Sequence, residues 1–242
     1  VSACGVTVAK HCNRAASSRS GTADVLGALG VNNEATPQQA QAMLDAYHLA
    51  FLFAPSHHPA MKIVGPIRRE LGFRTIFNLA APLANPAQTS RQLVGVYHTS
   101  WIGPVAEVLR RLGSVSAWVV QGSDGLDELT ITGPSEVAIL KNGTIARRTV
   151  TPEDAGLPAA ALADIEGADP ADNAAALPRV LAGEDGAYRH IVPLNAAAAL
   201  IVAAGAADLR AGVKLAAAAI DDGRAHALLD RMATPYAEPK GE

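Results

Sequence analysis

Val6-Thr7-Val8-Ala9-Lys10-His11-Cys12-Asn13-Arg14-Ala15-Ala16-Ser17-Ser18-Arg19-Ser20-Gly21-Thr22-Ala23-Asp24 carries the first decision about the fold. Val6-Thr7-Val8-Ala9 is a short apolar run with β-branched residues, the pattern of a buried strand. It empties into a loop dense in cations and hydroxyls, and Ala23-Asp24-Val25-Leu26-Gly27-Ala28-Leu29 then reads as a helix. Strand, polar loop and helix N-terminus in this order form an anion cradle. The first helical N–H groups are unpaired, the dipole is positive there, and Lys10, Arg14 and Arg19 add full charges. An ordinary strand-to-helix turn is the competing reading, with Ser20 or Thr22 as the cap and the cations facing water. The chemistry of the stretch leaves both open.

Outward from this stretch, strands and helices alternate. Thr36 caps a helix from about Pro37 to Ala50, with Pro37 at its first position. Phe51-Leu52-Phe53 is a short buried strand. Pro59 to Leu71 reads as a helix closed by Gly72, and Pro66 demands a break or kink inside it. Arg74 to Ala84 fits either a helix or a loop. Gln92 to Tyr97 is a strand, Trp101 to Leu112 an amphipathic helix stopped by Gly113, and Val115 to Gln121 the next strand. Lys141-Asn142-Gly143 joins two further segments, 137–140 and 144–149, as a hairpin. Residues 151–170 are loop-like, and the remainder is Ala-rich helix punctuated at Gly183, Gly205 and Gly223. The expected fold class is α/β, with a mostly parallel central sheet flanked by helices.

Composition narrows the functional classes. The chain has 242 residues, enough for a sizeable core, and 49% of them are hydrophobic with few aromatics, which suits Ala-rich helices packed closely on a sheet. A net charge of −3 argues against a general nucleic-acid binder. Cys4 and Cys12 match no metal spacing and make no disulfide framework, so a reducing cytoplasm is expected. No apolar run approaches the ~20 residues of a membrane span, and no signal-like pattern opens the chain.

Two more stretches carry candidate chemistry. In Phe51-Leu52-Phe53-Ala54-Pro55-Ser56-His57-His58-Pro59-Ala60-Met61-Lys62, the adjacent histidines lack helical spacing and cysteine partners, so zinc is not expected. Arg68 and Arg69, further on, suit either a solvated helix face or recognition of a carboxylate through the two-bond fork of a guanidinium. In Val119-Val120-Gln121-Gly122-Ser123-Asp124-Gly125-Leu126-Asp127-Glu128-Leu129, three carboxylates gather on a glycine-rich turn after a strand. That is either a solvated turn or a set of oxygen ligands for Mg²⁺, which takes one or two protein carboxylates together with phosphate oxygens and waters.

All three stretches resemble the anthranilate phosphoribosyltransferases. The first is similar to that family's Lys-His-Gly-Asn-Arg … Ser-Gly-Ser-Ala-Asp segment. The second resembles its Phe-Ala-Pro … His-Pro-Ala-Met … Arg-Arg-Glu-Leu-Gly … Asn-Pro signature, and the third its Gly-Leu-Asp-Glu metal site. The resemblance runs through Leu194-Asn195-Ala196-Ala197-Ala198-Ala199 to the final helices. It implies a nucleoside phosphorylase/phosphoribosyltransferase-like catalytic domain that joins the amine of anthranilate to C1′ of phosphoribosyl pyrophosphate, releasing pyrophosphate, in tryptophan biosynthesis. On that resemblance Lys10, His11, Cys12, Asn13, Arg14, Ala15, Ala16, Ser17, Ser18 and Thr22 contact phosphoribosyl pyrophosphate. Asn13 and Arg68 contact anthranilate, with Arg68 on its carboxylate. Asp127 and Glu128 hold Mg²⁺, Asp124 being the weaker candidate. The sugar carbon becomes positive as pyrophosphate departs, so positioning and electrostatics carry the reaction, and an aromatic amine needs little base assistance.

The match has departures. Cys12 and Ala81 stand where the family has glycine, and a glycine in the phosphate loop would permit close backbone approach or positive φ, so Cys12 is expected to crowd the site. Thr22 replaces serine and keeps the hydroxyl. The family's Gly-Thr-Gly-Gly-Asp and Asn-Ile-Ser-Thr segments have no counterpart here. The expectation is a single catalytic domain over residues 1–242, without most of an N-terminal helical domain, with 37–70 packing against that domain. The whole protein is expected to be a homodimer and this chain to turn over little or not at all. Two other readings compete: a pyrimidine nucleoside phosphorylase, whose lysine-serine loop is worded differently, and a non-catalytic relative that binds nucleic acid, which the acidic balance opposes.

Overall fold

The computed structural model describes residues 1–14 and 19–233, without the side chains of residues 60–62 and 69. A first unit contains β1 (Val8–Cys12), α1 (Thr22–Ala28), α2 (Pro37–Tyr47), β2 (Leu49–Phe53), α3 (Ala54–His57), α4 (Pro59–Leu71) and α5 (Phe77–Leu83). The chain continues through β3 (Arg91–Gly95), α6 (Ile102–Arg111), β4 (Ser116–Gly122), β5 (Ser135–Lys141) and β6 (Thr144–Val150). Short 3₁₀ turns at Pro152–Ala155 and Leu162–Asp164 lead into α7 (Pro170–Leu181), α8 (Ala187–Val202), α9 (Leu209–Asp221) and α10 (Arg224–Ala233).

The α/β class holds, and the expected single, mostly parallel sheet is corrected. Among the described residues β1 and β2 pair in parallel as one sheet, and β3-β4-β5-β6 form another. In the larger sheet only β3 and β4 are parallel, while β4–β5 and β5–β6 are antiparallel. The hairpin is the reason for the β5–β6 pairing. Asn142 and Gly143 both adopt positive φ, 49° and 80°, so the chain reverses at once and cannot cross over to a parallel partner. β4 and β5 are joined by residues 123–134, which bring Ser135 back beside Gly122.

β4 is buried along its whole length, and its two-residue period divides the core. Trp118 and Val120 pack with Leu129, Leu194, Ala197 and Val202 on the α8 side. Ala117 and Val119 pack with Val94, Ile102, Val105 and Leu109 on the α6 side. Burying each such Leu, Ile or Val side chain contributes about 1.5–3 kcal/mol. α8 and α9 approach so closely that a Cβ on Gly212 would lie 2.7 Å from the Ala197 Cβ, which accounts for small residues at that crossing. A third core joins Leu26, Val31, Met43, Ala50 and Leu52 to Met232 of α10. Arg231 secures that contact, donating to the Ala46 carbonyl at 2.9 Å and stacking on Tyr47.

The termini of several elements follow their local chemistry. Thr36 accepts the Gln39 N–H and Gln39 Oε1 accepts the Thr36 N–H, a reciprocal cap on α2. α2 ends at Tyr47, with His48 left-handed at φ 53°, so the strand starts earlier than the apolar run suggests. α4 runs through Pro66 to the left-handed Gly72, against the expected break; the exposed proline leaves one carbonyl without an N–H partner and the helix continues. Arg74 to Ala84 resolves as a loop followed by α5. No helix among the described residues is long and apolar enough to cross a membrane.

Candidate active site

β1 extends to Cys12, so Lys10 and His11 belong to the strand rather than to the loop. Cys12 ends the strand buried against Ala23 of α1 and Phe53 of β2. Cys12 is not among the residues with positive φ, and its thiol, pushed up to about 11 by burial despite Lys10, stays protonated at neutral pH. The side chain fills the core, and the strand conformation asks for no glycine. Ala81 likewise sits within α5 without positive φ.

Lys10 is exposed, and its charge reaches Glu128. Asn13 accepts the Arg14 N–H at 2.8 Å through its side chain, and its carbonyl receives the Ala23 N–H. Arg14 pairs with Glu34 at 2.7 Å and lies over Phe53. Both members of that pair are more than half exposed, so it contributes little and can be exchanged for another anion. Thr22 begins α1, half-buried. The positive end of α1 already faces a carboxylate, since Asp24 accepts the Gly21 N–H, so the loop's charge rests on its side-chain cations more than on the helix. Ala15, Ala16, Ser17 and Ser18 lie outside the described residues.

α5 gathers a second group. Arg68, half-buried on α4, donates to Asn78 Oδ1 at 3.4 Å and stacks on Phe77 at 5.5 Å. One turn later the Ala81 carbonyl accepts a hydrogen bond from His11 Nδ1 at 2.9 Å, which leaves Nε2 of His11 as an acceptor. The His58 ring meets His11 edge-on, 5.1 Å between centroids. Nε2 of His11, His57 and His58 and Oγ1 of Thr75 are buried without a hydrogen-bond partner among the described residues. Buried polar atoms are normally satisfied, so a cluster of such atoms beside an arginine marks a recess that a polar ligand would complete. Burial first, opposed by the Ala81 bond and aided by the neighbouring histidines, holds the His11 imidazole below its ordinary pKa. Sequence reading weighed His57 and His58 only as metal ligands and missed this role, because the orphan nitrogens appear only once α3 and α5 are packed.

The acidic turn after β4 is held from several directions. Asp124 Oδ2 accepts the Thr130 and Thr132 hydroxyls at 2.5 and 2.8 Å, and Oδ1 accepts the Leu126 N–H at 3.1 Å. Its oxygens accept three bonds from the loop, so Asp124 braces the turn. Asp127 and Glu128 are exposed. Glu128 is nonetheless raised above the usual carboxylate range, first by surrounding protein and then by Asp127, with Lys10 opposing; an acid open to water but walled by protein fits both observations. Among the described residues no three His, Cys, Asp or Glu side chains are grouped to hold a metal. The two adjacent carboxylates suit Mg²⁺ shared with phosphate oxygens and not an all-protein cage.

Known proteins resemble this chain in sequence and in fold. Residues 1–226 match the family described as glycosyl transferase family, a/b domain. Anthranilate phosphoribosyltransferase of Methylocella silvestris is 59% identical over 232 residues, 96% of this chain and 66% of the relative. The crystal structure of the Thermus thermophilus enzyme of that name superimposes with a TM-score of 0.88 at 42% identity, covering 96% of this chain and 69% of that one. A Saccharomyces cerevisiae structure of the same name, in complex with phosphoribosyl pyrophosphate and Mg, gives 0.83 at 25% identity, with 96% and 66% covered. The chain thus spans about two thirds of the length of the relatives it matches. From its motifs, its fold and these likenesses together, the chain belongs to the anthranilate phosphoribosyltransferase family.

Proposed function

We propose that this chain transfers the 5-phosphoribosyl group of phosphoribosyl pyrophosphate to the amine of anthranilate, releasing pyrophosphate, as a step of tryptophan biosynthesis. The observation that carries the proposal is the α5 recess, where Arg68 bonds to Asn78 and His11 of β1 bonds to the Ala81 carbonyl. The residue before His11, Lys10, acts through its charge on Glu128 of the acidic turn. The turn suits a metal-bound polyphosphate and the recess an aromatic carboxylate.

In this reading Arg68, fixed by Asn78 and Phe77, grips the anthranilate carboxylate through its guanidinium fork and so aims the amine. Asn13, beside the phosphate loop, contacts both substrates. Lys10 and Arg14 take phosphate oxygens, Arg14 by giving up its exposed pair with Glu34. His11, kept neutral by burial, offers Nε2 as an acceptor in the same recess. Asp127 and Glu128 would hold Mg²⁺, which when bound supplies positive charge to the departing pyrophosphate. The chain's own part is to hold the two substrates in register and to neutralise the developing charge with fixed donors.

Exposed Ile63, Ile67 and Leu71 recur every fourth residue along α4, and Phe73 and Ile76 follow them. That apolar face supports our reading that residues 37–70 pack against further helices in the whole protein, which we take to be a homodimer. Cys4 and Cys12 are both free thiols, in keeping with a reducing cytoplasm.

The test follows anthranilate fluorescence as the chain is mixed with phosphoribosyl pyrophosphate and Mg²⁺. Anthranilate binding, and any loss of fluorescence from transfer, should disappear in Arg68→Ala. Binding that survives Arg68→Ala would refute the placement of the carboxylate. Phosphate-dependent cleavage of thymidine by the wild-type chain would replace the transferase reading with a phosphorylase.

A further inference from the structure

We propose that Gly95 and Asn195 are positioning residues which fix the Asp127–Glu128 pair between them, an inference that rests on the metal role given to that pair above. Gly95 ends β3, and the backbone of Asp127 lies directly on it. A Cβ at Gly95 would overlap the Asp127 carbonyl oxygen, stand 2.6 Å from the carbonyl carbon and 3.0 Å from the Asp127 Cβ. Gly95 is not among the residues with positive φ, so the strand needs no glycine for its own conformation. It needs one for room.

The character of the neighbour decides the consequence. At Gly103 an added Cβ would meet only the guanidinium tip of Arg147, at 2.5 Å, and a long side chain can swing aside. At Gly95 it would meet main chain, which moves only by carrying Asp127 and Glu128 with it. From 2.6 Å to the 3.4 Å where ordinary contact begins, the Asp127 carbonyl carbon alone must retreat by about 0.8 Å. Two carboxylates that share a cation with a substrate tolerate misplacement of only about 0.5 Å.

Asn195 grips the far end of the pair. From α8 its side-chain oxygen accepts the Leu129 N–H at 2.9 Å and its amide donates to the Leu129 carbonyl at 2.8 Å, with a further bond to the Ile191 carbonyl at 3.1 Å. Leu129 itself is fully buried. Asp127 thus sits on the Gly95 contact itself, and Glu128 is the one residue between that contact and the amide clamp at Leu129. α8 therefore acts on the metal pair at one remove, through its bonds to Leu129.

The experiment compares wild type, Gly95→Ala and Asn195→Ala, with Gly103→Ala as the matched control. Mn²⁺ affinity in the presence of phosphoribosyl pyrophosphate is read from the free-ion paramagnetic resonance signal. Hydrogen exchange is read over residues 122–129, and anthranilate affinity by fluorescence. Gly95→Ala and Asn195→Ala should each lose about tenfold or more in Mn²⁺ affinity, as outer residues of metal sites do. Both should exchange faster over 122–129 and keep anthranilate affinity within about twofold, a split that a general loss of stability would not produce. Gly103→Ala should match wild type. If Gly95→Ala does not fold, Asn195→Ala carries the test. Wild-type exchange and Mn²⁺ affinity in the folded variants would overturn the clamp. Faster exchange in a chain whose wild type binds no Mn²⁺ would uphold the clamp and overturn the metal reading instead.

Discussion

Asp124→Ala removes the brace of the acidic turn and gives the sharpest check on how that turn is held. Three donors converge on this carboxylate: the Thr130 hydroxyl at 2.5 Å, the Thr132 hydroxyl at 2.8 Å and the Leu126 N–H at 3.1 Å. A hydrogen bond to a charged group contributes about 1.5–3 kcal/mol net, and bonds sharing one acceptor group do not add in full, so about 3 kcal/mol is expected for the set. In a domain of this size that lowers the melting temperature by about 6–12 °C. Thermal unfolding followed by circular dichroism at pH 7 measures it. Acidity supplies a second reading. Burial alone would raise the Asp124 pKa, but the hydrogen bonds from Thr130, Thr132 and Leu126 outweigh it and leave the group below its ordinary 3.8. The charge-dependent part of the stabilisation is then fully present above about pH 4 and is lost as pH falls through the lower folded value, so the gap between wild type and variant should narrow there. A melting temperature within about 2 °C of wild type at pH 7 would refute the reasoning.

Other outcomes follow from the same packing and charges. Gly212→Val should cost about 1–3 kcal/mol of stability in urea unfolding, since even a Cβ at that position would press on Ala197 of α8 at 2.7 Å; a neutral result would mean that the two helices part freely. His11 and His57 are both held below the ordinary 6.5, by burial first and by neighbouring histidines second. The unfolded chain therefore binds more protons just below that value, and stability should fall as pH drops from about 6.5 through the folded pKa values. His11→Gln should flatten that slope, and an unchanged slope would remove His11 as its source. Thr36→Ala, which deletes the cap of α2, should cost about 1 kcal/mol, and a loss under a few tenths would show that the Gln39 arm suffices.

What the chain displayed in its letters, and what it withheld, divides along the range of the interactions. Thr36-Pro37 and Asn142-Gly143 act within a few residues, and both produced the cap and the turn expected of them. β4 was legible because an apolar run after Gly113 has few other uses. Strand direction was not, because the pairing of β4 with both β3 and β5 depends on tertiary neighbours that no local period encodes. α5 was ambiguous because Pro82 and the Asn85-Pro86 pair break its pattern, while its helix is secured from outside by His11 and Arg68. Arg68, Asp127 and Glu128 were singled out by their wording. The bracing role of Asp124 beside them was hidden, since nothing in a lone acidic turn shows that threonines six and eight residues on will donate to it. Gly95 was silent for the same reason, its partner being Asp127.

The burial of Met232 beside Leu26, Val31, Met43 and Leu52 bears on how the chain is made. 180 residues separate Leu52 from Met232, which at ~5–20 residues per second is about 10–40 s of ribosomal synthesis. Through that interval β1 and β2 have emerged with one wall of their apolar cluster open. The sheet of β3 to β6 closes over α6 well before, from neighbours close in sequence. Clipping α10 from the finished protein would reopen the cluster beneath Lys10 and His11 while leaving the sheet that precedes Asp127 and Glu128 intact, so the two parts of the candidate site would fail separately.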